Sequence, residues 1–344
     1  MVKKPVILVI LGMLVVWANP RTAALTILDP TYQAETYASY DYINNWPAFD
    51  MTFDPYGNLY VTHHQTYGSG ETDGWIYRIN PDKTVTPWVT GLTRPEDIIW
   101  AGVESFGDYL YVTEGFDNAY NTGGGVTRIG LNGMIDRFVT SGFDQPVSLA
   151  VDRSGNYGAN IYVGSGDSDR INKVLPDGQV QGFYSFGKHP GSPVDIEFAP
   201  NGSYGGLMYV ATNYSISTSL NGILTFDTLG NPAKIAPEIV EAFDLAFDTT
   251  DDQLFGGYLY ASGRLAGDPD WISRIFRIYS DGTPEEVMTA SSWRSRMTFG
   301  EDGLYLSESG WENPRVTISR VTPEPTSLML LGWGLLGLYC RRKK

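Results

Sequence analysis

The sequence predicts an all-β fold, a six-bladed β-propeller built from four-stranded blades. Three observations carry that expectation. A strand with the core Leu-Tyr-Val recurs six times at nearly even spacing, and an apolar strand usually opened by aspartate precedes each copy. The last unit is also one strand short, while an unassigned strand-like segment lies before the first. Repeats of this length with turn chemistry between short strands are the signature of radial β architectures.

The anchor strands begin at Leu59, Leu110, Ile161, Met208, Leu259 and Leu304, in steps of 45 to 51 residues. Their second position is always tyrosine: Tyr60, Tyr111, Tyr162, Tyr209, Tyr260 and Tyr305. The preceding strands read Asp50-Met51-Thr52-Phe53, Asp97-Ile98-Ile99-Trp100, Ser148-Leu149-Ala150-Val151, Asp195-Ile196-Glu197-Phe198, Asp244-Leu245-Ala246-Phe247 and Arg296-Met297-Thr298-Phe299. A third strand follows in each unit, as in Trp75 to Ile79, Val126 to Ile129, Ile223 to Phe226 and Ile275 to Ile278. Asn132-Gly133, Asp177-Gly178 and Asp281-Gly282 then mark tight turns, where glycine supplies positive φ. An edge strand such as Thr84 to Val89 or Met134 to Val139 completes the unit. The sixth unit ends with Val316 to Val321 and runs into Pro323, so Tyr32 to Tyr40 is expected to supply its fourth strand. That closure would remove two exposed sheet edges. An open β-solenoid, the alternative, needs no such spare strand.

The two ends read differently. Lys3 and Lys4, an apolar run from Val6 to Trp17 and small residues at Thr22-Ala23-Ala24 form the three parts of a secretory signal peptide, with cleavage expected after Ala24. At the other end Pro323-Glu324-Pro325 precedes an uncharged leucine- and glycine-rich run, Ser327 to Tyr339, and a basic cluster, Arg341-Arg342-Lys343-Lys344. The run is shorter than the ~20 residues that span a bilayer comfortably. The basic cluster should stay on the cytoplasmic side and leave the body outside. The expected division is therefore 1–24 leader, 25–322 propeller and 323–344 tail.

The tail resembles the PEP-CTERM sorting signal of bacteria that make extracellular polysaccharide. The resemblance implies that Pro323, Glu324 and Pro325 form the processing motif, with Arg341 and Arg342 in its basic end. It also implies an exosortase-type enzyme as partner, an exported protein delivered to the cell envelope, surface or extracellular matrix, and a membrane anchor that lasts until processing. The repeats from Phe49 to Val321 resemble six-bladed propellers of the NHL and gluconolactonase type. That likeness speaks to fold, because propellers host lactonases, dehydrogenases and binding modules alike.

The chain carries 24 basic and 39 acidic residues, a net charge of −15. Seven of the basic residues sit in the leader and tail, against one acid (Glu324), so the body is more acidic than the whole. Such a surface repels nucleic acid and excludes it as a partner. The one cysteine, Cys340, lies in the tail, so no disulfide can staple the body,.

In a closed ring the first strands line a central channel. Register then brings Asp50, Asp97, Asp195 and Asp244 together with Ser148 and Arg296. The ends of the second strands, His63, His64, Glu114, Ser165, Asn213 and Glu308, are expected near the same mouth. Four aspartates on a ring suggest a ligand site or hard-cation site, with Ca²⁺ as the possible ion. The structural alternative, which Arg296 favours, is that the same aspartates serve as caps that accept backbone N–H groups from the neighbouring blade. Gluconolactonase-type enzymes hold their metal with a Glu, two Asn and an Asp, a set this ring does not reproduce. Aromatics in the loops after the second strands (Tyr67, Trp75, Phe116, Tyr120, Tyr214, Trp271 and Trp311) suit sugar stacking or protein contact. Three functions follow as expectations. The first is a surface binding module for polysaccharide or protein, without catalysis. The second is a divalent-metal-dependent hydrolase or lactonase. The third is a quinoprotein-like sugar oxidoreductase with His63 or His64 as base.

Overall fold

The computed structural model describes residues 25–41, 48–64, 74–115, 123–166, 168–187, 192–213, 220–250, 253–269, 272–290, 292, 294–310 and 313–324. Every regular element among them is a strand. The strands form six antiparallel sheets, five of four strands and one of five. Blade 1 is representative. Its strands Met51–Phe53, Leu59–His63, Gly74–Ile79 and Val85–Leu92 lie side by side in chain order. The first strands of blades 2 to 6 are Pro95–Trp100, Pro146–Val151, Ser192–Phe198, Ile239–Phe247 and Arg296–Gly300. Asn132-Gly133, Asp177-Gly178 and Asp281-Gly282 are turns as expected, with glycine φ of 81°, 84° and 86°.

The ring closes through the N-terminus. Tyr32–Asp41 pairs antiparallel with Asn313–Pro323 and becomes the fourth strand of blade 6. A further strand, Leu25–Ile27, escaped the sequence reading. It pairs with Pro284–Ala290 as a fifth strand of blade 5. Three residues carry too little pattern to be recognised alone.

The blades are joined by apolar packing that explains the invariant tyrosine. In four pairs of adjacent blades, the aromatic closing one first strand lies against the second-strand tyrosine of the blade before. Ring centroids are 4.8 Å apart for Phe53 and Tyr305, 5.4 Å for Phe198 and Tyr162, 5.3 Å for Phe247 and Tyr209, and 5.7 Å for Phe299 and Tyr260. Edge-on aromatic pairs of this kind add about 0.5–1.5 kcal/mol beyond area burial. A buried tyrosine also needs a partner for its hydroxyl. The Tyr111, Tyr162 and Tyr260 hydroxyls donate to Phe106 O, Tyr157 O and Phe255 O, and Tyr305 donates to Asp302 Oδ1 at 2.6 Å. Each acceptor lies in the turn between that blade's own first and second strands.

A kink precedes the channel residues. The pairing of first and second strands shifts register at Pro95/Ile98, Pro146/Ser148, Pro193/Asp195 and Ala242/Asp244. A β-bulge re-aims the side chains beside it, and proline is tolerated there because no ladder donor is lost.

Candidate functional site

The first strands enclose a central cavity of about 540 Å³. Asp50, Asp97, Asp195 and Asp244 line it, and the lining continues along the strands to Arg153, Ser154, Asn201 and Thr249. Those last four residues lie in or beside the turns between first and second strands. The cavity therefore runs from the carboxylate ring toward the turn face of the propeller.

Each aspartate ties its blade to the next. Asp50 Oδ2 accepts the N–H of Ile98 at 3.1 Å, and Asp97 Oδ2 that of Leu149 at 2.7 Å. Asp195 Oδ2 accepts from Leu245 at 2.6 Å, and Asp244 Oδ2 from Met297 at 2.5 Å. In every case the donor follows the equivalent position in the next blade. Where serine replaces aspartate the sense reverses, and the Ser148 hydroxyl donates to Pro193 O at 2.9 Å. Arg296 reaches backward, donating to Phe243 O at 2.8 Å and to Asp244 Oδ1 at 3.2 Å.

Four carboxyls and one guanidinium in a buried ring cannot all ionise cheaply. Burial raises Asp50 and raises Asp97 well above the carboxylate range, and Asp97 hydrogen-bonds to Asp50. Of the two, Asp97 is raised the more, by burial first and then by the charge of Asp50. Burial, with Asp50 nearby, pushes Asp195 up to about 7. Burial, then the charge of Asp195, likewise raises Asp244. One carboxyl in the cavity escaped the sequence reading. Glu197, two residues beyond Asp195, is pushed up to about 8 by burial and by Asp195, against the pull of Arg153. Alternation along the strand places residues 195 and 197 on one face, which was the available signal.

Among the described residues, no three of Asp, Glu, His or Cys group closely enough to hold a metal ion. One oxygen of each ring aspartate is taken by a backbone N–H, and Arg296 supplies an internal cation.

The six second-strand ends expected near the channel mouth lie outside the cavity lining. His63 is buried, its Nε2 lies 2.8 Å from the Tyr40 hydroxyl of the closing strand, and Trp75 stacks beside it. Burial, then His64, pulls His63 down to about 3. Glu114 accepts the N–H of Thr93 at 2.6 Å and the hydroxyl of Thr127. Glu308 accepts from Ser319 at 2.5 Å. The second strand alternates, so its last side chain turns toward neighbouring strands and not toward the axis. His64 is also buried, stacked on Phe49 at 3.9 Å with Nε2 3.4 Å from Glu96. Of the loop aromatics only Trp75 is among the described residues, and the rest lie outside them. Asn213 and Ser165 are buried, with side-chain polar atoms that find no hydrogen-bond partner among the described residues.

The tail motif begins inside the fold. Pro323 pairs with Tyr32, and the Glu324 N–H donates to Thr31 O at 2.7 Å. Pro325, Arg341 and Arg342 lie outside the described residues, as does the expected leader, residues 1–24.

Comparison with known proteins agrees with both parts. Residues 321–344 match the PEP-CTERM protein-sorting motif. No curated protein matches the chain. Among solved structures, the chain is similar to a virginiamycin B lyase from Staphylococcus aureus, with a TM-score of 0.52 at 13% identity. That match covers 85% of this chain and 100% of the lyase. A gluconolactonase from Xanthomonas campestris gives 0.53 at 13% identity, over 84% of this chain and 90% of that one. An auxiliary nutrient binding protein from Bacteroides thetaiotaomicron gives 0.56 at 12% identity, over 88% and 77%. Likeness at such identity speaks for the fold alone. The chain is a six-bladed β-propeller carrying a C-terminal PEP-CTERM protein-sorting motif, which implies an exported protein handled by an exosortase.

Proposed function

We propose that the propeller is a binding module displayed at the cell envelope or in the extracellular matrix, with polysaccharide or a surface protein as its ligand. One observation carries this reading: the sorting motif is joined to a closed ring whose channel carboxyls are occupied in holding blade to blade. Each of these aspartates accepts a neighbouring backbone N–H through Oδ2, and so does structural work in joining the blades. The test is retention of the purified protein on polysaccharide and matrix fractions from its own host. Saturable retention is expected, and passage through every fraction would overturn the reading.

A divalent-metal-dependent hydrolase or lactonase is the second reading, favoured by the five carboxyls that face the cavity. It demands that calcium raise the melting temperature and that Asp195→Ala and Asp244→Ala abolish the rise. The binding reading predicts no such rise.

A further inference from the structure

Two blades carry a glutamate near the end of the second strand, and the two are served differently. Glu114 follows the anchor residue Leu110 at the same distance as Glu308 follows Leu304. Both are buried, at 0% and 3% exposure. In blade 2 both carboxylate oxygens are bonded. Oε2 accepts the Thr93 N–H at 2.6 Å, and Oε1 accepts the Thr127 hydroxyl. Arg137, paired with Thr127 on the fourth strand, brings its guanidinium to 3.7 Å from the same carboxylate. Two donors and a cation are what a buried carboxylate needs to stay charged.

In blade 6 that arrangement is half filled. Ser319 pairs with Leu306 as Thr127 pairs with Val112, and its hydroxyl takes Oε1 of Glu308 at 2.5 Å. The fourth strand here is the N-terminal one, and it sets Thr36 opposite Ser319, in the register where blade 2 has Arg137. Among the described residues Glu308 has no cationic partner, and its Oε2 is buried without a hydrogen bond of good geometry. Burial raises its carboxyl above the ordinary value, against the pull of Ser319 and of the one backbone donor that faces it, the N–H of Leu25.

Leu25 begins the short edge strand of blade 5, where it pairs with Ala290. Its side chain packs on the apolar cluster that holds Ala290 together with Leu304 and Leu306 of the strand carrying Glu308. The expected scissile bond of the leader is Ala24–Leu25. Its hydrolysis consumes one water. The water oxygen stays on Ala24 as part of a carboxylate, and both protons go to the Leu25 nitrogen, which becomes an ammonium. We propose that this new α-ammonium is the cation blade 6 lacks, and that it pairs with Oε2 of Glu308 to lock the N-terminal edge strand into the seam between blades 5 and 6. One neutral N–H gives way to three charged donors on the same atom. Leu25 is half-buried, so the donors not spent on Glu308 can reach water. Leader removal thereby stabilises the fold that it releases. The inference rests on cleavage after Ala24.

The experiment exports the full chain from a bacterial host and reads its first residue by mass spectrometry, with Leu25 expected. Urea unfolding then compares this protein with one carrying a Gly-Ser insertion between Ala24 and Leu25, each with Glu308 and with Glu308→Gln. The insertion keeps a terminal ammonium but moves it two residues from the carboxylate. It should lower the unfolding equilibrium constant on the order of tenfold or more beside Glu308, and severalfold less beside the glutamine. Trace acetylation of the folded protein gives a second readout. The Leu25 amine should react severalfold more slowly with Glu308 than with Glu308→Gln, a difference that packing alone does not produce. Equal effects of the insertion in both backgrounds, or equal acetylation, would overturn the ion pair while leaving the leader reading intact. A mature chain that begins at another residue would overturn both together.

Discussion

Burial beside Asp50 raises the Asp97 carboxyl well above its ordinary value, which favours a proton between the two, while Asp97 Oδ2 accepts the Leu149 N–H. An asparagine can make both bonds, with its amide donating to Asp50. Asp97→Asn should therefore lie within about 1 kcal/mol of the parent, whereas Asp97→Ala should cost about 2–3 kcal/mol by orphaning buried groups. Asp244→Ala removes the carboxylate facing the buried Arg296 guanidinium and should cost about 3–5 kcal/mol. Urea unfolding of the three variants checks the order. A pH series separates the carboxyls from the histidine. Asp195 and Glu197 titrate near 7 and 8 when folded, above the ~4 of an unfolded carboxyl,. Their contribution is full below pH ~4 and is lost as pH rises toward 8. His63, pulled down to about 3, acts in the opposite sense, and its contribution is lost as pH falls below ~6.5,. Glu197→Gln should consequently lose less stability than the parent between pH 5 and 8, by on the order of 1 kcal/mol. Parallel curves for parent and variant would contradict the assignment.

At the scale of strands, most of the fold was legible because each repeat restates the same local rules. The Leu-Tyr-Val cores, the Asn-Gly and Asp-Gly turns and the missing last strand all appear in the structure. Leu25–Ile27 was not legible, since a three-residue edge strand is decided by the neighbour that accepts it. The bulges before Ser148, Asp195 and Asp244 were equally hidden, though Pro146 and Pro193 mark two of them. One glycine shows what the close approach of blades demands. A Cβ on Gly164 would lie 2.3 Å from Ser148 Oγ and 2.6 Å from Pro193 O. These are the two ends of the bond joining blade 3 to blade 4. Gly164→Ala should therefore break that tie and cost about 1–3 kcal/mol, measured as a lower urea midpoint. An unchanged midpoint would show that the blades separate freely there.

For the whole molecule, the ring of first-strand residues was readable from the repeat, but its surroundings were not. Periodicity places Asp50, Asp97, Asp195 and Asp244 about one axis and left capping of the neighbouring blade and cation binding both open; the fold shows Oδ2 of each accepting the next blade's N–H. His63, Glu114 and Glu308 share the register but turn away from the axis, a distinction set by strand twist and alternation. The account depends above all on a ring closed by the N-terminal strand, which also pins the start of the sorting motif. Hydrogen exchange read by mass spectrometry tests this directly. Closure predicts that amides of Tyr32–Asp41 and Asn313–Pro323 exchange as slowly as those of the second strands, such as Met208–Asn213,. Rapid exchange of Tyr32–Asp41 while the other blades stay protected would contradict it.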